Sequence, residues 1–171
     1  MARSPRRESA TTPSQVLELL RGRSASLATA ESLTGGRLAA SLTSVPGASA
    51  VFVGGVVAYA SEVKVAVLGV PEEVVSTVGV VSAECAAAMA RGVRALTGAT
   101  YALATTGVAG PGEQEGKPVG TVFVAVAGPD GGPTLALELS GTREQIVQRT
   151  CEEALRALVS LISDAEETPL R

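Results

Sequence analysis

Between Ser26 and Val45 the hydrophobic period changes across a serine and two glycines, and few architectures accept such a change. Ser26 to Ala30 is a short apolar run that predicts a buried strand. Arg37 to Val45 carries Leu38, Ala39 and Leu42 at helical spacing, so the stretch Thr29 to Gly36 predicts a strand-to-helix turn. Such a turn aims free backbone N–H groups at whatever lies above it, and the helix dipole favours negative charge there. Ser32 is the candidate nucleophile on this turn. Leu33, Thr34, Gly35 and Gly36 would supply its backbone donors, the glycines allowing a close approach. A tight helix cap with no chemistry fits the same residues.

The other segments repeat the alternation. Thr12, Pro13 and Gln15 form a capping box with proline at the first helical position, and Val16, Leu19 and Leu20 give that helix its stripe until Gly22. Val51 to Ala60 is continuously apolar and predicts a strand buried on both faces. Ser61 is expected to cap a short helix from Glu62 to Leu68, and Pro71 opens another over Glu72 to Val78. Ser82 caps a longer helix that ends at Gly98, with Met89, Val93 and Leu96 on its stripe. Tyr101 to Thr106 reads as a strand running into the loop Gly107 to Gly112. Val119 to Ala127 and Leu135 to Leu139 form a hairpin around Gly128 to Pro133. Thr142 and Gln145 box the start of the final helix, and a polar tail begins at Asp164. This order predicts a three-layer α/β/α sandwich with a mixed, mostly parallel sheet of about five to six strands including an antiparallel hairpin. Residues 12–163 form the expected single domain, between a disordered tail at 1–11 and a polar tail at 164–171.

Composition narrows the chemistry. With 171 residues, 46% of them hydrophobic, the chain can bury one substantial core. Its net charge is −3, its basic residues are scattered, and its only aromatics are Phe52, Tyr59, Tyr101 and Phe123, which excludes the footprint of a nucleic-acid binder. No apolar stretch is long enough to span a bilayer and none resembles a signal peptide, so a cytoplasmic location with Cys85 and Cys151 as thiols is expected.

There is no histidine. That removes Ser-His-Asp and Cys-His sites and the commonest transition-metal ligand, and no aspartate cluster suggests magnesium, so neither a metal nor a cofactor is expected. An amine that activates a serine must come from Lys64 or Lys117. Lys117 stands beside Glu113 and Glu115, which support its charge, whereas Lys64 falls in the first turn of a helix, whose dipole opposes a cation. Arg143 is unusual at the start of the last helix, where a cation is disfavoured unless it serves an anion nearby. The loop after Thr106, with Gly107 and Gly110, is either an anion cradle or a plain Gly-Pro turn.

These residues carry a resemblance. Ala30 to Gly36, Gly55 to Lys64, Gly79 to Ser82, Thr105 to Pro111, Lys117 to Thr121 and Gly141 to Arg143 together resemble the CinA carboxy-terminal domain family of nicotinamide-nucleotide amidases, over about Gln15 to Leu161. The resemblance implies hydrolysis of the carboxamide of nicotinamide mononucleotide to nicotinate mononucleotide and ammonia, by a Ser/Lys mechanism in pyridine nucleotide salvage. It implies Ser32 as nucleophile and Lys64 as base, with Tyr59, Thr106 and Arg143 assisting, and a homodimer. It also implies a stand-alone form without the family's frequent amino-terminal domain. The family often has Cys at Leu33, Asn at Ser61 and Asp at Thr142. Tyr59 is expected to relay a proton or to stack on the pyridine ring. The Thr106 to Gly110 loop and Arg143 are candidates for the ribose-phosphate end. Two alternatives accompany this reading: a nucleotide-binding protein without turnover, and a dehydrogenase-like Tyr/Lys pair. The second fails on spacing, since Tyr59 and Lys64 stand one residue too far apart.

Overall fold

The computed structural model describes residues 11–167. The expected tail at residues 1–11 and the last four residues of the polar tail therefore lie, except for Thr11, outside the described residues. Five strands form one sheet in the order β2-β1-β3-β4-β5: β1 Leu27–Glu31, β2 Phe52–Val57, β3 Tyr101–Gly107, β4 Thr121–Ala127 and β5 Thr134–Glu138. β1 pairs in parallel with β2 and β3, while β4 pairs antiparallel with β3 and β5. Four strands thus point the same way and only β4 opposes them.

Helices cover both faces. α1 (Pro13–Gly22), α2 (Arg37–Thr43) and α6 (Arg143–Glu167) pack on one side. α3 (Ser61–Leu68), α4 (Glu72–Thr77) and α5 (Ala83–Thr97) pack on the other. The pleat sorts side chains by size between these layers. Leu27, Leu103, Val122, Val124 and Val126 face α1 and α6, where the aliphatic side chains of Val16, Leu20, Ile146 and Leu158 meet them. Ala28, Ala30, Ala102, Ala104, Ala125 and Ala127 face α5, which answers with Ala86 and Ala90. A sheet face made mostly of alanine lets α5 lie close. Its Gly92 lies so near the end of α3 that a Cβ there would sit 1.8 Å from the Leu68 carbonyl oxygen.

Several helix boundaries follow local chemistry. The Thr12/Gln15 capping box is formed, Ser82 accepts the Cys85 N–H, and Thr142 and Gln145 exchange bonds at the start of α6.

Four expectations need correction. β2 is an edge strand rather than one buried on both faces: its burial alternates along the chain, with Val53 52% and Val57 48% exposed, because the helices leave its outward side chains uncovered at the sheet's margin. Ser61 does not cap α3; it is the first helical residue after Ala60, and no side chain caps the helix. Leu96 is 57% exposed and leaves the stripe of α5, which is completed by Cys85, Ala86, Met89, Ala90 and Val93. α6 continues past Asp164 to Glu167, because a helix already twenty residues long extends through acidic helix formers at little cost.

β1 is the centre of the design. From it the chain crosses to β2 through α2 on one face, then from β2 to β3 through α3, α4 and α5 on the other. The carboxyl ends of β1 and β3 therefore flank a crevice where the connections diverge, the usual place for a ligand in an open α/β sheet.

Candidate active site

Ser32 follows the last residue of β1. Its N–H donates to the Thr105 carbonyl of β3 at 3.0 Å, and its own carbonyl accepts from Gly35 at 3.0 Å, so sheet and turn both hold it. Gly35 and Gly36 have φ of +56° and +97°, which the turn requires and which other side chains rarely adopt. Just before it, Glu31 is 1% exposed, and its two carboxylate oxygens accept the N–H groups of Leu38 at 2.8 Å and Ala39 at 3.0 Å. The amino end of α2 is thereby occupied from within the chain. This revises the expected use of that helix end: its dipole is answered by Glu31, not offered to a ligand.

Lys64 reaches the same point from α3. It is 1% exposed, and its Nζ lies 3.0 Å from Ser32 Oγ, 2.7 Å from the Ala58 carbonyl oxygen and 3.2 Å from that of Tyr59. Burial pulls the amine below its ordinary value of 10.5, against the smaller upward influences of Cys85, Glu115 and Glu62. Two carbonyls and the serine hydroxyl thus surround the amine; a charged amine can donate to all three, and a neutral one can keep its two carbonyl bonds and turn its lone pair to the hydroxyl.

Cys85 is buried in the adjoining core, and burial pushes its thiol up to about 11, so it stays protonated at neutral pH. Burial likewise holds the half-buried Cys151 thiol at about 12; neither cysteine is in a disulfide.

Ser32 and Lys64 lie at one side of a cavity of about 270 Å³, near the lower end of the roughly 300–1,000 Å³ range of small-molecule sites. Leu33, Tyr59, Thr106, Gly107, Gly110 and Arg143 line it as well. Thr106 donates its hydroxyl to the Val80 carbonyl at 2.7 Å, tying β3 to the turn before α5. Gly107 is needed where β3 meets β4, since a Cβ there would lie 2.6 Å from the Thr121 carbonyl oxygen. Arg143 reaches from the first turn of α6 to donate to the Gly110 carbonyl and, at 2.9 Å, to the Tyr59 hydroxyl. Its odd place at a helix start is thus explained by where its guanidinium goes. Tyr59 is 61% exposed and stands at the rim.

Three of the expected binding residues are not brought to the cavity. Thr34 is buried with its hydroxyl 2.7 Å from that of Thr105, while Gly35 and Gly36 shape the turn beneath Ser32. Of the four candidate donors after Ser32, only Leu33 lines the cavity. Its N–H has no partner among the described residues, and the same holds for Ala109 and Gly110 across the cavity.

Sequence reasoning gives no site role to Glu31, Glu115, Gln114 or the Val80-Val81 turn, although Glu31 and Val80-Val81 lie within the motifs that carry the resemblance and Glu115 enters only as a neighbour of Lys117. Among the described residues no three His, Cys, Asp or Glu side chains converge as a metal site, and no helix is long and apolar enough to cross a membrane.

A doubly wound α/β domain with a buried serine-lysine pair at its switch point is the class that this fold and geometry define. The chain belongs to the CinA C-terminal domain family, whose model matches residues 9–162. It is 60% identical over 131 residues to a CinA-like protein of Frankia casuarinae, covering 77% of this chain and 30% of that protein. A CinA-like protein of Anaeromyxobacter dehalogenans is 47% identical over 147 residues, or 85% of this chain and 36% of the other. The chain thus spans about a third of the length of these relatives. Among solved structures, the competence/damage inducible protein CihA of Agrobacterium tumefaciens superposes with a TM-score of 0.84 at 35% identity, covering 87% of this chain and 92% of that one. The CinA superfamily protein of Klebsiella pneumoniae 700603 gives 0.86 at 35% identity, covering 91% and 96%.

Proposed function

We propose that this domain is an amidohydrolase that converts nicotinamide mononucleotide to nicotinate mononucleotide and ammonia, with Ser32 as nucleophile and Lys64 as general base. The observation that carries the proposal is the buried Lys64 amine, 3.0 Å from Ser32 Oγ and held by two carbonyls; in its neutral form, two N–H bonds to the carbonyls leave the lone pair for the hydroxyl. In the first half-reaction Lys64 takes the Ser32 proton while Oγ attacks the carboxamide carbon. The tetrahedral intermediate collapses with cleavage of the C–N bond, Lys64 returns the proton to nitrogen, and ammonia leaves. Water then attacks the serine ester, Lys64 accepts its proton, and the carboxylate product departs as the proton passes back to Oγ.

The unpartnered N–H of Leu33 is the nearest donor in sequence for the oxyanion, a contribution typically of about 3–4 kcal/mol per donor. Arg143 suits the phosphate end, because a guanidinium that now holds one carbonyl and one phenol can exchange them for an anion. Tyr59 follows Arg143 in this exchange.

Ammonium release from nicotinamide mononucleotide, compared with free nicotinamide and glutamine, tests the reading. Ser32→Ala is expected to lose at least about 10⁴-fold in kcat and Lys64→Ala about 10²–10⁴-fold. Parental rates in either variant would remove the assignment. Tight calorimetric binding without ammonia from the parent protein would instead support a non-catalytic binder. A homodimer belongs to the same proposal; light scattering should give twice the mass of the chain, and the mass of one chain at working concentration would remove it.

A further inference from the structure

The hairpin tip Gln114–Lys117 is charged, exposed and linked to itself by a small antiparallel bridge, all of which suit a solvated loop. Glu115 departs from that pattern. It turns back with a φ of +52°, and its two carboxylate oxygens accept consecutive backbone N–H groups, from Val80 at 3.1 Å and Val81 at 3.0 Å. Gly79 makes room for it: φ there is +85°, and a Cβ would lie 2.4 Å from the Glu115 carboxylate. Lys117 adds a third tie, donating to the Val78 carbonyl at 3.3 Å and standing 3.9 Å from Glu115.

What these ties hold together is one wall of the cavity. Val80 and Val81 line it from the turn, and Glu113 and Gln114 line it from the hairpin. Glu115 itself does not line it. Two convergent N–H groups are matched best by a carboxylate, which accepts both bonds with charge assistance, whereas a carboxamide presents only one acceptor.

We propose that Glu115 is a positioning residue, latching the hairpin tip onto the Gly79–Val81 turn and so fixing the cavity wall against which the nucleotide is held. The kinetic readout of this proposal rests on the amidase reading; its geometry does not. The latch also brings a negative charge close enough to act on Lys64, alongside Cys85 and Glu62, while Tyr59, Glu113 and Arg143 line the same cavity. Removing the charge at Glu115 therefore favours the neutral amine, an effect that loosening alone would not produce.

Glu115→Gln and Gly79→Ala in the full chain are the test. Glutamyl endopeptidase should cleave the Glu113–Gln114 bond at least about tenfold faster in both variants, the scale of one charge-assisted hydrogen bond. KM for nicotinamide mononucleotide should rise roughly tenfold in both, with plateau kcat within about twofold. In Glu115→Gln the rising limb of the pH–rate profile should also move to lower pH. Gly79→Ala should cost less KM in a Glu115→Gln background than it does alone, because both substitutions weaken the same contact. If the parent protein releases no ammonium, the amidase reading fails by itself, and the calorimetric Kd for the nucleotide replaces KM with the same tenfold expectation. Unchanged KM or Kd in the folded variants would overturn the latch as a positioning device. Failure of the parent to bind the nucleotide would overturn both proposals.

Discussion

Lys64, the base of the proposed reaction, shows how burial shifts the titration of an ordinary side chain. Its side chain runs from α3 into the protein, and burial, which disfavours the cation, lowers its pKa. The sign for catalysis follows. A base must be unprotonated, so kcat/KM should increase as pH rises through the Lys64 pKa and level off above it. Because that pKa is lowered, the limb should fall below the ordinary lysine value of 10.5; a rate profile still climbing at 10.5 would show that another group is the base. The residue's identity was legible in the sequence by elimination, since the chain has no histidine and only one other lysine. Its 3.0 Å distance to Ser32 was not, because the two stand thirty-two residues apart in the chain, with α2 and β2 between them.

At the level of elements, the turn between β1 and α2 shows a helix end satisfied by its own chain. Sequence patterns for capping look for a short polar side chain at the helix boundary, and here that boundary residue is Gly36, which has none. Glu31, seven residues before Leu38, acts instead because the turn folds back over β1. Replacing Glu31 with alanine would leave two buried N–H groups unpaired, at about 1–3 kcal/mol each, and would loosen the Ser32 turn. Thermal or denaturant unfolding should show that loss; Glu31→Gln, which can satisfy one of the two, should fall between. An unchanged midpoint in Glu31→Ala would mean that water replaces the carboxylate. The same local view explains the exposure of β2: its apolar run is continuous in sequence, but only the packing of helices over the sheet decides which side chains meet solvent.

For the whole molecule, the unequal layers set where the site can be. Large residues fill the α1/α6 side, while the alanine face draws α5 in and leaves α3 braced against Gly92 with Lys64 directed to the sheet end. Ala102→Leu in the middle of that face should overpack it at a cost of about 1–3 kcal/mol. Displacement of α5 should also lower turnover in the proposed reaction, although Ala102 does not line the cavity. Lost stability with full activity would show that α5 and α3 move independently of the site.

The chain's amino acids alone determined the alternation of elements, the capping boxes, the exclusion of histidine chemistry and the short roster that contains Ser32, Lys64 and Arg143. These are matters of local period and residue type, which neighbours in sequence settle; Tyr59 joined the roster through the family resemblance. Tertiary structure alone decided that Glu31 takes the α2 N–H groups, that Thr34, Gly35 and Gly36 lie beneath the cavity rather than in it, and that Glu115 closes onto Val80 and Val81. Each depends on backbone donors and packing brought together from distant segments, and backbone groups are the same in every residue until the fold aims them.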